Sequence, residues 1–179
     1  MLTNILFSIS LLLIVAAIII LLSMSWTHLR GAPWVPTPIR KVEKMLAMAE
    51  LQQDELLYDL GCGDGRVLVI AARRFGARAV GIELDPLRYI WCQLLITVLG
   101  LRKRVQIVLG DFFSQDLSQA DVVTCYLLQR TNDKLQGKLQ HELQPGTRVV
   151  SHAFVFSVLE EIDSDTKTDV HVYAVKAKS

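Results

Sequence analysis

Three glycines at alternate positions stand out first, in the run Asp59-Leu60-Gly61-Cys62-Gly63-Asp64-Gly65. Glycine lets a chain turn tightly and pass close to a ligand without a Cβ in the way, and a turn that opens a helix also offers backbone N–H groups. A bare G-x-G is equally at home in a plain strand-to-helix turn. Two carboxylates make this one chemical: Asp59 lies two residues before the first glycine, and Glu83 ends the apolar run AVGIEL, 20 residues beyond Gly63. In nucleotide sites of this layout an acid at the end of the second strand accepts hydrogen bonds from ribose hydroxyls.

The spacing separates two cofactor classes. Dinucleotide sites use G-x-G-x-x-G to seat a pyrophosphate, whereas here the glycines are Gly61, Gly63 and Gly65 with Asp64 among them. A carboxylate in the loop repels a pyrophosphate and tolerates a cationic sulfonium with an amino-acid tail. The residues therefore favour S-adenosyl-L-methionine (SAM), which becomes S-adenosyl-L-homocysteine on use, over NAD, and disfavour a NAD-linked oxidoreductase.

The elements that must position these groups follow from periodicity. LLYDL (Leu56 to Leu60) reads as a strand and RVLVIAARRF as the helix after the loop, ended by Gly76. Ala79 to Leu84 is a second strand, and Pro86 to Leu99 a second helix closed by Gly100. Val105 to Leu109, Asp121 to Leu128 and Thr147 to Phe154 are further strands, with a helix over Asn132 to Leu143 and a late strand at Val170 to Val175. Upstream, Thr37-Pro38 is an N-cap and first-turn pair for a helix running to about Glu50. Strands alternating with helices predict a Rossmann-like α/β fold, a mainly parallel sheet with helices on both faces and ligands at the carboxyl ends of its strands.

The chain of 179 residues suits one such domain and a short appendage. Its hydrophobic fraction of 51% and mean hydropathy of +0.35 come largely from one place. Ile5 to Met24 carries no charge, and twenty helical residues span about 30 Å, the thickness of a bilayer core. No basic residue precedes the run and no A-x-A-like site follows it, which favours an uncleaved transmembrane anchor over a secretory signal. All 19 Lys and Arg follow, from Arg30 onward, which places the folded domain in the cytoplasm. The expected organisation is an anchor over residues 1–28, a linker over 29–36 and a domain over 37–179.

Other classes are disfavoured. Cys62, Cys92 and Cys125 are odd in number and widely spaced, and His28, His141, His152 and His171 are scattered, so neither a disulfide framework nor a metal site is expected. A net charge of +1 gives no electrostatic signature of a nucleic-acid partner. His152, in the fifth strand, would lie near the pocket mouth or, as a lone strand histidine more often does, serve only the structure.

With these motifs in hand, the sequence resembles the class I SAM-dependent methyltransferases, and among them the family of small lysine methyltransferases that includes the ATP synthase c-subunit lysine N-methyltransferase. The resemblance runs from about Trp34 to Val155. It is carried by Pro36-Thr37-Pro38, YDLGCGDGR (Tyr58 to Arg66), GIELDP (Gly81 to Pro86), Gly110-Asp111-Phe112, DVVTCYLL (Asp121 to Leu128) and PGTRVVSH (Pro145 to His152).

The resemblance implies that Asp59, Gly61, Cys62, Gly63 and Gly65 surround the methionine part of SAM and that Glu83 holds the ribose. Asp111 would face the adenine amino group with Phe112 beside it; the plain alternative is that Asp111 caps the next short helix. Tyr126 would meet the acceptor amine or the sulfonium, and is otherwise a buried tyrosine with a satisfied hydroxyl. Trp34, Pro36 and Thr37 would pack over the cofactor, although a tryptophan there also suits a membrane surface. No Asn/Asp-Pro-Pro-Tyr/Phe stretch, the mark of nucleobase or amide methylation, follows the fourth strand.

The resulting expectation is transfer of methyl groups to a lysine of a membrane protein, which the resemblance places in the ATP synthase rotor ring. The alternatives are methylation of a lipid or quinone, and a membrane-attached SAM-binding module without activity.

Overall fold

A computed structural model describes residues 5–15, 18 and 35–176 of the chain. The chain divides into two units, Met1–Trp34 and Val35–Ser179. In the first, residues 5–15 form a helix, α1, whose apolar side chains are exposed, and residue 18 is also helical. The rest of the run expected to span a membrane, residues 16, 17 and 19–24, lies outside the described residues, as do Trp34 and most of the expected linker. Among the described residues no helix is long and apolar enough to cross a membrane.

The second unit alternates strands and helices. Its elements are α2 (Ile39–Met48), β1 (Leu56–Leu60), α3 (Arg66–Arg74), β2 (Arg78–Glu83), α4 (Pro86–Val98), β3 (Val105–Leu109), a 3-10 turn (Phe112–Ser114), β4 (Val122–Cys125), α5 (Gln129–Glu142), β5 (Arg148–His152), β6 (Glu160–Asp165) and β7 (Val170–Ala174). The seven strands form one sheet in the order β3-β2-β1-β4-β5-β7-β6. The first five are parallel, and β7 inserts antiparallel between β5 and β6. Chain order reverses between β1 and β4, so the crevice at the carboxyl ends of those two strands is where such sheets bind ligands.

Alternation along the strands divides the core in two. Leu57, Val122, Val150 and Val172 face one layer with Val42, Leu46, Leu68, Ala71 and Ile96 from α2, α3 and α4. Leu60, Val123, Val149 and Tyr173 face the other, with Leu135 and Leu139 of α5. Helices therefore cover both faces, as the βα alternation requires.

Several boundaries differ from expectation for local reasons. Pro38, not Thr37, occupies the N-cap of α2, and no side chain caps that end. The Thr37 hydroxyl is drawn to His152 instead. The helix after β4 starts at Gln129, three residues early, because the strand ends at Cys125 and the chain turns at once. β6, with the sequence EEIDSD, has no counterpart in the apolar pattern; it is an exposed edge strand that needs no buried face.

Candidate active site

The loop after β1 is built by its glycines. Gly61, Gly63 and Gly65 all have positive φ (+79°, +56° and +79°), and Gly65 is the N-cap of α3. The N–H groups of Gly61 and Cys62 both donate to the Ile82 carbonyl, at 2.9 and 3.0 Å, which ties the loop to β2. That approach is close enough to fix a residue type on β2. A Cβ at Gly81 would stand 2.5 Å from Leu68 Cδ1 and 2.7 Å from Cys62 Sγ.

Glu83 organises the cradle. Its Oε2 accepts from Gly63 N–H at 2.8 Å and its Oε1 from Asp85 N–H at 2.9 Å, while its own carbonyl accepts from Gly110 N–H. One buried carboxylate thus joins the loops after β1 and β2, and its backbone holds the loop after β3. Each carboxylate oxygen keeps a second acceptor site, which suits ribose hydroxyls. Burial raises the Glu83 pKa above the usual carboxylate range, against the pull of the two backbone N–H groups.

Asp59 is buried on β1, and Thr124 Oγ1 donates to its Oδ1 at 2.8 Å from the position opposite it on β4. Burial drives its pKa up to about 7, opposed by the Thr124 hydrogen bond and reinforced by the Glu83 and Asp64 charges. A carboxylate in this state gains from a cation beside it. Asp64 is different: its carboxylate is held by the Arg66 guanidinium. The charge that the sequence sets against a pyrophosphate is therefore largely matched inside the protein, and the preference for a cationic ligand rests on Asp59 and Glu83. Arg66 also donates to the Thr37 carbonyl at 2.6 Å and so fastens the segment before α2 to the loop.

Beyond β4 and β5 lies an aromatic wall. The Tyr126 ring stands 4.0 Å from the His152 ring and 6.4 Å from the Phe154 ring, centroid to centroid. Lys41 of α2 donates to His152 Nε2 at 2.7 Å. An ammonium has no acceptor, so His152 carries its proton on Nδ1, 3.5 Å from the Thr37 hydroxyl. Burial, and then the Lys41 charge, push the His152 pKa down to about 4, which keeps the ring neutral. The turn after β5 is held by Asn132, whose Nδ2 donates to Ser151 Oγ at 3.3 Å and to the Phe154 carbonyl at 3.1 Å.

The sequence-selected residues are thus largely gathered at one edge of the sheet. Gly61, Cys62, Gly63 and Gly65 are hydrogen-bonded to one another or to the end of β2 that carries Glu83, Asp59 stands beside them on β1, and Tyr126 directly follows β4. Asp111 follows β3 and caps the 3-10 turn by accepting from Phe113 N–H at 2.9 Å. Phe112 packs on the second core layer. Pro36 is exposed, and Thr37 is buried against His152. Lys41, Arg66, Cys92 and Thr124 escaped the sequence reading. Cys92, whose thiol donates to the Gly63 carbonyl at 3.1 Å, was signalled only by its place with Ile96 on the buried side of α4.

Known proteins resemble this chain in sequence and in fold. Residues 59–162 match the family described as the ANTKMT methyltransferase domain. The chain belongs to that family. A protein-lysine N-methyltransferase of Saccharolobus islandicus (strain REY15A) is 42% identical over 156 residues, which cover 83% of this chain and 97% of the relative. The lysine N-methyltransferase of Rattus norvegicus that acts on the ATP synthase c-subunit is 32% identical over 124 residues, 69% of this chain and 56% of that protein, so the chain spans about half of that relative's length. Among solved structures, an RNA methyltransferase of Salinibacter ruber in complex with S-adenosyl-L-homocysteine superposes with a TM-score of 0.77 at 40% identity, covering 81% of this chain and 96% of that one. The protein is a SAM-dependent methyltransferase with a Rossmann-like fold, and the Asp59 and Glu83 carboxylates offer acceptors that an ammonium and ribose hydroxyls would fit.

Proposed function

We propose that this methyltransferase modifies a lysine side chain of a membrane-associated protein. Bound in the cradle, SAM supplies a methyl group already activated on a sulfonium. The chain then has to hold donor and acceptor in line and deliver the acceptor as a free amine. Asp59 and the glycine loop would hold the amino-acid tail, Glu83 the ribose, and Asp111 with Phe112 the adenine end. Trp34, Pro36 and Thr37 would close over them.

One observation carries the lysine reading: the Tyr126–His152 ring pair, with its imidazole held neutral by burial and the Lys41 ammonium. Aromatic faces accommodate the methylenes and the cationic end of a lysine. The Lys41 charge and the loss of water on entering the wall both disfavour an acceptor ammonium, which promotes the neutral amine that attack requires. Tyr126 would orient that amine through its hydroxyl. The lysine-modifying relatives support the same assignment, with a component of the ATP synthase rotor ring as one candidate acceptor. The uncharged run from Ile5 to Met24 supports an anchor that holds the domain on the cytoplasmic side, where it would reach acceptors at the bilayer.

The test is transfer from methyl-labelled SAM to a membrane fraction, followed by separation of protein, lipid and RNA and by peptide mass spectrometry. Label on lysine is the expected result. Label in the lipid extract, or label released by nuclease, would replace the lysine reading with another acceptor. S-adenosyl-L-homocysteine binding with no labelled product from any fraction would reduce the chain to a binding module.

A further inference from the structure

Helix α4 is apolar on its outside. Its buried residues are Cys92 and Ile96, yet Leu87, Ile90, Trp91, Leu94 and Val98 are all exposed, Trp91 by 57% and Val98 by 74%. Their spacing of three and four residues puts them on one stripe. The remaining exposed positions of the helix, Pro86 and Thr97, are uncharged. The only charged residue of α4, Arg88, has a side chain that is 21% exposed and stands 3.8 Å from Glu83 and 3.6 Å from Asp85, so its charge is turned to the site. Single exposed apolar residues are ordinary, but a whole helix face of them marks a contact surface.

We infer that the outer face of α4 lies in the interfacial layer of an anionic bilayer. Three features select that occupant. Trp91 sits in the middle of the stripe, and an indole favours the boundary between headgroups and acyl chains. Arg102 and Lys103, both exposed, follow the helix directly and provide the basic flank that anionic headgroups attract, while no carboxylate stands on the stripe. The stripe also covers only about 18 Å by 10 Å, far below the roughly 800 Å² per partner of a stable protein interface. A lipid surface has no such minimum. α4 opens at Asp85, two residues beyond Glu83, so a helix lying in the headgroup layer brings the carboxyl edge of the sheet to that level. The benefit to an acceptor at the membrane surface rests on the lysine reading above; the seating of α4 does not.

The full chain with Trp26→Phe and Trp34→Phe leaves Trp91 as its one tryptophan, and is reconstituted in phosphatidylcholine/phosphatidylglycerol vesicles. Brominated acyl chains near the headgroups are expected to quench Trp91 at least twofold and iodide to have little effect. Adding Leu94→Glu should abolish the bromine quenching while S-adenosyl-L-homocysteine affinity stays within twofold of that of the same chain with Leu94 intact. Quenching by iodide but not by bromine puts α4 in water, and protection from both puts protein over it, either a second copy or the chain's own N-terminal segment; each result overturns the inference. Lysine labelling is scored separately, so α4 in water with lysine still methylated removes this inference alone.

Discussion

Lys41 and His152, 111 residues apart, meet end to end: the ammonium of one donates to Nε2 of the other at 2.7 Å. The contact links α2 to the end of β5 and fixes the tautomer of the ring that packs on Tyr126.

Burial of that imidazole, together with the Lys41 charge, predicts an acid limb in stability. His152 takes up a proton near pH 4 in the folded chain and near 6.5 when unfolded. The unfolded chain therefore binds the proton first, so this contribution is complete above about pH 6.5 and is lost as pH falls toward 4, by on the order of 1 kcal/mol per pH unit. Denaturant titrations at stepped pH should show that slope flattened in His152→Gln. In Lys41→Met the His152 NMR titration should move to higher pH.

Asp59 predicts the opposite limb. Its carboxyl protonates near pH 7 when folded and near 3.8 when unfolded. The folded chain holds the proton more tightly, so this contribution is complete below about pH 4 and is lost as pH rises to 7, by about 1.4 kcal/mol per unit at most. Asp59→Asn should melt higher than the parent above pH 7 and alike near pH 4. Calorimetry should find the parent's affinity for S-adenosyl-L-homocysteine rising between pH 6 and 7, and a weaker, flat response in the variant.

Gly81→Ala places a methyl group against Leu68 and Cys62 at less than contact distance. Overpacking of this kind costs about 1–3 kcal/mol. A lower melting temperature together with weaker cofactor binding is expected, because Cys62 belongs to the loop and Leu68 to the helix that the loop opens.

Tyr126→Phe keeps the ring wall and removes the hydroxyl. If Tyr126 orients the acceptor amine, kcat should fall about tenfold or more with S-adenosyl-L-homocysteine affinity within twofold. An unchanged turnover rate would leave Tyr126 a wall residue only.

The parts of the site legible in the sequence are those where backbone geometry restricts residue type. The loop glycines have positive φ, and Glu83 ends a strand at a fixed distance from them, so spacing alone places them together. Partnerships across the fold were silent. Nothing near Arg66, the local partner of Asp64, says that it also holds Thr37, 29 residues away, and nothing near His152 points to Lys41. Strand β6 was missed because pattern reading detects burial, and EEIDSD has none to detect. The cap expected at Thr37 failed because a tertiary partner outcompeted a local one.

That same strand determines how the sheet ends. Glu160, Glu161, Asp163 and Asp165 line the outermost ribbon, where an unpaired backbone would otherwise recruit a strand from a neighbouring molecule. Like charges keep such neighbours apart at neutral pH. Replacing these carboxylates with neutral residues would therefore leave the sheet open to edge-to-edge pairing at a segment remote from its chemistry.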